Sequence, residues 1–247
     1  MFFSKYSANG NDFIITHFFS KQSFNFSELA KQICHRFKGV GADGLIILKP
    51  HSELDFEWEF YNCDGSVATM CGNGSRAAAK YANDLKIAGE RQRFLTLAGI
   101  IQAEISENLV ESALSGVEVL RQDIKELGQT WDLIDTGVPH LVCESGAKIT
   151  KEDLRALRHK YNANINVVTL ENNFVRIRTF ERGVEDETLA CGTGMAASFY
   201  YLLQQNKIKN PYKFIPASGD EIFLKFENNK LFLKGEVRKI CDFVYKI

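Results

Sequence analysis

The chain has no Cys-x-x-Cys pair, no long uninterrupted apolar stretch, no dominant sign of charge and no low-complexity linker. Each absence removes a class of protein. Without a paired-cysteine motif, its 6 cysteines do not read as a structural zinc site or a thioredoxin-type redox centre. The histidines are scattered and none is spaced His-x-x-x-His, so no metal set is expected. Lys and Arg number 30 against 31 Asp and Glu, and neither sign is clustered. No basic field therefore calls for nucleic acid. No run approaches the roughly 18 apolar residues of a membrane span. The opening Met1-Phe2-Phe3-Ser4-Lys5-Tyr6 lacks the charged head and apolar body of a signal peptide. Cytoplasm and reduced thiols are the expectation.

What the chain does have is a repeated cysteine motif. Cys71-Gly72-Asn73-Gly74-Ser75-Arg76-Ala77 and Cys191-Gly192-Thr193-Gly194-Met195-Ala196-Ala197 both fit Cys-Gly-x-Gly-x-x-Ala. Each cysteine follows a strand-like run and opens a helix-like stretch, which suggests two related lobes presenting two thiols to one site. A cysteine ahead of a first helical turn meets unpaired N–H groups and the positive end of the dipole. Its thiolate should be stabilised there, and the N–H groups of Gly72, Asn73, Gly192 and Thr193 can hold a carboxylate. A carboxylate so held acidifies the neighbouring Cα–H, which one thiolate removes while the opposing thiol protonates the other face. That is cofactor-independent racemisation or epimerisation, with a small molecule as partner and no metal.

Alternating runs at 58–61 and 174–180 read as strands leading to the two cysteines. Helices are expected from Ser75 to about Ala88 and from Met195 to about Gln205. Two more are expected, from Phe26 to Arg36 after a Ser27 cap and from Lys151 to Lys160 after Thr150, with Asp153 completing a capping box. The tail reads as strands at 213–217, 221–227, 231–233 and 237–245, with Asn228-Asn229 as a turn. The fold class expected is α+β, two lobes of strands around a central helix. The lobes are placed at 1–115, joined by the C-terminal strand at about 237–247, and 116–236, with the boundary near Ser115-Gly116. Gly39-Val40-Gly41-Ala42-Asp43-Gly44 fits Gly-x-Gly-x-x-Gly but precedes its strand, so it reads as a structural turn. Cys34, Cys63, Cys143 and Cys241 read as core or near-surface thiols. The aromatics Phe18, Phe19, Phe24 and Phe26 read as core, or secondarily as a subunit interface.

The chain resembles the diaminopimelate epimerase family. The likeness runs through 8–13, 39–44, 62–66, 70–74, 137–140, 164–167, 181–183 and 187–194, nearly the whole length. It implies pseudo-symmetric lobes, each a curved, mostly antiparallel sheet around a helix, with the site in the cleft between them. It implies Cys71 and Cys191 as the acid/base pair, with His140 helping the first and Glu181 the second. By position it gives Asn11, Asn62, Asn166 and Arg182 the distal amino acid end of the substrate, with Arg182 suited to a two-pronged carboxylate pair. It also implies interconversion of LL- and meso-2,6-diaminopimelate, on the route to lysine and cell wall, and a possible homodimer. One departure is Val138, where many members carry Asn before Pro-His. The alternatives are another two-cysteine amino acid racemase of the same fold, or a thiol redox or metal-binding protein. The polar distal set disfavours both proline, which has no second charged amino acid end, and a plain thiol module.

Overall fold

A computed structural model describes residues 1–20, 24–114, 116–146 and 148–246. The expected lobe boundary at Ser115 falls outside the described residues. By packing, the chain divides into one unit of Met1–Ser112 with Glu236–Ile247 and a second of Ala113–Gly235.

The first unit contains β1 (Phe2–Ala8), β2 (Asn11–His17), α1 (Phe26–Ile33), β3 (Gly44–Lys49), β4 (Phe56–Asn62), α2 (Gly72–Asp84), β5 (Arg91–Thr96), β6 (Gly99–Ser106) and β7 (Leu109–Ala113). The second contains β8 (Glu118–Glu126), β9 (Gln129–Asp135), β10 (Pro139–Glu144), α3 (Lys151–Tyr161), β11 (Asn164–Leu170), β12 (Val175–Glu181), β13 (Asp186–Thr188), α4 (Gly192–Gln204), β14 (Tyr212–Ile215) and β15 (Ile222–Glu227). The last strand, β16 (Lys230–Val244), begins in the second unit and finishes in the first.

In the first unit the strands run in sequence order from β1 to β7, then β16, which also pairs with β1 and closes the sheet. Side chains alternate across each strand, so Phe56, Trp58 and Phe60 of β4 all face inward. They meet α2, whose Ala77, Ala78, Ala79, Tyr81 and Ala82 are buried among Phe13, Ile46 and Phe94. The run of small residues lets a helix sit inside the sheet. On the opposite face, α1 covers Phe3, Ile14, Leu45 and Ile47 with Phe26, Leu29, Ala30 and Ile33. The parallel pair β2–β3 is therefore apolar on both faces, which explains its near-continuous hydrophobic runs.

The second unit repeats this plan in the order β8-β9-β10-β11-β12-β14-β15-β16, with β13 on β12. Its parallel pairs fall at the matching places. α1 connects parallel β2 and β3, as α3 connects parallel β10 and β11. α2 connects parallel β4 and β5, as α4 connects parallel β12 and β14. The architecture is α+β, two topologically matched units of sheet around helix, as the sequence led us to expect.

Several expected bounds shift. Helix α1 stops at Ile33, and its cap is Asn25, whose side chain accepts from the Glu28 amide, rather than Ser27. The Ser27 hydroxyl instead donates to the Gly65 carbonyl at 2.7 Å. Helices α2 and α4 each begin at the glycine after the cysteine, three residues before the expected start. Helix α3 has the Thr150–Asp153 capping box in both directions. Asn228 and Asn229, at φ 50 and 59, make the turn into one continuous β16 rather than two strands. A Cβ on Gly39 would lie 2.2 Å from the Gln32 carbonyl oxygen, so the glycine-rich segment after α1 is a packing turn.

Candidate active site

Each unit carries one cysteine at the entrance to its inner helix, and each site is built from its own strands. In the first, β4 ends at Asn62, the chain turns through Cys63-Asp64-Gly65-Ser66, and Cys71 caps α2 in an extended conformation. Its Sγ accepts from the Gly74 amide at 3.4 Å. Cys71 is half-buried, whereas Asn73 is 5 % exposed. Asn73 Nδ2 donates to Asn11 Oδ1 at 2.6 Å, and Asn11 Nδ2 donates to Asp43 Oδ2 at 2.9 Å. Asn11 opens β2, and Asn62 sits at the matching end of β4, where its Nδ2 donates to the Ser66 hydroxyl at 2.9 Å. Asn11, Asn73 and Cys71 are thus gathered at one end of the unit. Asn62 lies at the same strand ends, through the register Phe13–Gly44–Asn62.

In the second unit, Cys191 holds the N-cap position of α4, also in an extended conformation but without a side-chain capping bond, its Sγ 3.5 Å from the Thr193 hydroxyl. The Thr136 hydroxyl donates to the Thr193 carbonyl at 2.9 Å and ties the first turn to the loop before β10. Glu181 ends β12 beside this cysteine. Burial holds its carboxyl above the usual carboxylate range, partly offset by the Thr188 hydroxyl. His140, on β10, is fully buried. The Thr179 hydroxyl donates to Asn166 Oδ1 at 2.9 Å, which turns the Asn166 amide nitrogen towards His140 Nδ1 at 3.0 Å. Nδ1 therefore accepts, and the ring proton belongs on Nε2, which has no partner among the described residues. Burial, and then the Arg182 charge, push the His140 pKa down to about 3, so the imidazole is neutral.

The thiols depart from the sequence expectation. Burial pushes Cys71 up, and the Gly74 and Asn73 amides and the Arg76 charge offset only part of that. Cys191 is pushed up to about 11 by burial and then by the Glu181 charge, against the Thr193 and Gly194 groups. The helix N-terminus acts in the expected direction, but desolvation of the thiolate is the larger effect. With the site unliganded, the thiol is the favoured form at both positions.

A profile of the family described as diaminopimelate epimerase matches residues 3–118. The diaminopimelate epimerase of a Nitratiruptor species is 54% identical over 243 residues, covering 96% of each chain. That of Helicobacter pylori is 43% identical over 260 residues, covering 97% of this chain and 94% of the other. The chain belongs to the diaminopimelate epimerase family. As a member it is an isomerase, an epimerase of lysine biosynthesis. Among solved structures, a Bacillus anthracis phenazine biosynthesis protein of the PhzF family has TM-score 0.77 at 12% identity, covering 100% of this chain and 99% of that one. A hydroxyproline epimerase from Agrobacterium vitis has TM-score 0.67 at 13% identity, covering 98% and 91%. These two share the fold.

In this epimerase Arg182 is partly buried; its Nη1 donates to the Asn162 carbonyl at 3.0 Å, and its main-chain N–H donates to Asn164 Oδ1 at 2.8 Å. The Asn166 amide has partners at both atoms within the second unit. It is fully buried, with oxygen and nitrogen engaged by Thr179 and His140, and it packs directly beneath α4. A Cβ on Gly194 would lie 2.4 Å from Asn166 Oδ1. Asn166 thus orients the His140 ring. Asn164, which the sequence reading passed over, joins β10 to the Glu181-Arg182 corner by holding the Arg182 amide and contacting the Pro139 carbonyl at 3.4 Å. Asn164 and Asn166 share a strand face, so alternation alone could not separate their roles. At Val138 the carbonyl accepts from the Thr136 amide at 3.2 Å, and the side chain offers no hydrogen bond.

Proposed function

We propose that this chain interconverts LL- and meso-2,6-diaminopimelate without a cofactor, with Cys71 and Cys191 as the two acid/base groups acting on one Cα. The observation that carries the reading is the matched placement of the cysteines, each at the N-cap position of the inner helix of a topologically equivalent unit. The reacting carboxylate is received by the N–H groups of Gly72, Asn73, Gly192 and Thr193, and its arrival supplies the negative charge that an enediolate later extends. One cysteine, as thiolate, takes the Cα proton and becomes a thiol. The electron pair of the C–H bond moves into the carboxylate group. The opposing thiol then gives its proton to the other face and is left as the thiolate, so no net proton is consumed.

His140 and Glu181 tune and orient the cysteines. Arg182, with Asn11, Asn62 and Asn166, receives the distal amino acid end, where a missing carboxylate leaves polar groups unpaired and so rejects shorter substrates. The activity belongs in the cytoplasm, beside the other steps of a soluble amino acid pathway, and a homodimer is the assembly we infer. Among the described residues no helix is long and apolar enough to cross a membrane.

In heavy water the wild-type enzyme should place solvent deuterium at Cα of the product epimer. Cys71→Ala and Cys191→Ala should each abolish epimerisation. Each variant retains exchange at one stereoisomer only, a different one for each, read by mass spectrometry. Epimerisation near the wild-type rate in either variant would overturn the two-base reading.

A further inference from the structure

The first half-site contains a cation that the reaction described above does not use. Arg76, on the first turns of α2, is 0 % exposed, yet no carboxylate pairs with it among the described residues. Its Nη2 donates to Asn9 Oδ1 at 2.5 Å and to Asn73 Oδ1 at 2.6 Å, and its Nη1 donates to the Gly72 carbonyl at 3.3 Å. All three acceptors are neutral, and Nε has no partner among the described residues. An isolated buried charge is costly, so its retention calls for a compensating anion nearby.

The hydrogen-bond chain that starts at Arg76 is fully polarised. A guanidinium can only donate and a carboxylate can only accept. Arg76 therefore fixes Asn73 with its oxygen inward and its NH2 towards Asn11, and Asn11 in turn with its NH2 towards Asp43. Neither amide can flip without breaking the chain at one end. The second half-site has no equivalent. Five residues after Cys191 stands Ala196, where five residues after Cys71 stands Arg76, and the charged neighbour of Cys191 is the Glu181 carboxylate.

We propose that Arg76 is the buried counter-charge of the first half-site, which makes Cys71 the more readily ionised of the two cysteines and locks the Asn73–Asn11 chain in one direction. The two cysteines are then equivalent in topology and opposite in electrostatic bias, cation beside one and carboxylate beside the other. Arg76 is a positioning residue in this scheme, acting through Cys71, Asn73 and Asn11. The proposal rests on Cys71 being one of the two bases.

The groups around α2 leave the bias in place. Asp43 works against Arg76 at Cys71. Asp12 on β2 is held by Lys5 and Arg36, and Asp84 at the far end of the helix by Lys80 and the Tyr6 hydroxyl. His17 faces the Tyr81 hydroxyl, and Glu104 on β6 pairs with Arg91.

The discriminating variant is Asn9→Asp. It keeps the shape and the acceptor oxygen that Arg76 contacts, and the amide nitrogen it replaces has no partner among the described residues. It places a carboxylate on the guanidinium and neutralises its field at Cys71. The experiment measures iodoacetamide alkylation of the substrate-free protein from pH 6 to 10, with Cys71 and Cys191 followed separately by peptide mass spectrometry. In the wild type Cys71 should react first. In Asn9→Asp the Cys71 profile should move up by about one pH unit, a roughly tenfold lower rate on its rising limb, while the Cys191 profile stays in place. Arg76→Met should move it in the same direction.

An unchanged Cys71 profile in folded Asn9→Asp overturns the proposal, as does faster alkylation of Cys191 in the wild type. If Arg76→Met fails to fold, Asn9→Asp alone decides. Alkylation needs no turnover, so its outcome is separate from the two-base reading, which falls only if Cys71→Ala still epimerises.

Discussion

His140 is held uncharged by the fold around it. Its pKa of about 3 in the folded protein lies well below the unfolded value near 6.5, because burial and the Arg182 charge both disfavour imidazolium. Between those two values the unfolded chain binds the extra proton, so the folded state loses stability as pH falls through this window. Above about pH 6.5 both states are neutral and the effect vanishes. From pH 7 to pH 5.5 the loss from this one ring is roughly 1 kcal/mol. Urea unfolding of wild type and His140→Gln at those two pH values should give a smaller pH dependence in the variant by about that amount. Equal dependence would show that the ring is not held neutral by the fold. The same buried ring is pinned by Asn166, so loss of epimerisation in His140→Gln should appear as a lower kcat rather than as a higher KM.

At the level of elements, helix entry is where sequence and chemistry meet. The Thr150–Asp153 box at α3 was legible because both partners stand at the standard spacing, and the structure has both hydrogen bonds. The entries to α2 and α4 were legible at the cysteines, but the helices begin three residues before the expected start. Glycines at the first and third positions look like breakers, yet they occupy the first turn, and the room left for a side chain differs between them: a Cβ on Gly192 would meet a Leu233 side-chain atom at an ordinary 3.5 Å. At Gly194 the obstacle is Asn166 Oδ1, whereas a Cβ on Gly74 would meet only Cys71 Cβ at 3.3 Å and two apolar side-chain atoms at 3.4 Å. The cysteines and the Glu181-Arg182 corner could be read from pattern and resemblance, whereas the pairing of Asn166 with His140 depends on strand register. Two substitutions separate a capping role from a packing role. Thr150→Ala should lower stability by about 1 kcal/mol and leave epimerisation unchanged. Gly194→Ala forces the first turn of α4 off Asn166, and should cost about 1–3 kcal/mol and depress kcat as well. Thermal unfolding and initial rates on both proteins test this, and a Gly194→Ala enzyme with full activity would detach the helix entry from the His140 network.

Across the whole molecule, the last strand makes the two units interdependent through the chain. From Glu236 onward, β16 leaves the second unit and lies against β1, with register running from Phe2–Val244 to Ala8–Val237. Val237 is fully buried in the first unit's core, and its amide donates to the Asn108 carbonyl at 2.8 Å. The N-terminal ammonium donates to the Tyr245 carbonyl at 2.9 Å, so the first residue and the last turn of chain hold each other. Without this segment β1 is left unpaired along one edge and the sheet around α2 opens. A chain ending at Gly235 should therefore lose activity through the Cys71 unit while the Cys191 unit keeps its packing. Hydrogen exchange should show protection lost in β1, β2 and α2 and kept in β11, β12 and α4. Uniform loss of protection would mean that neither unit stands without the other. Retained epimerisation would mean that β1 and the entrance to α2 do not need the returning strand.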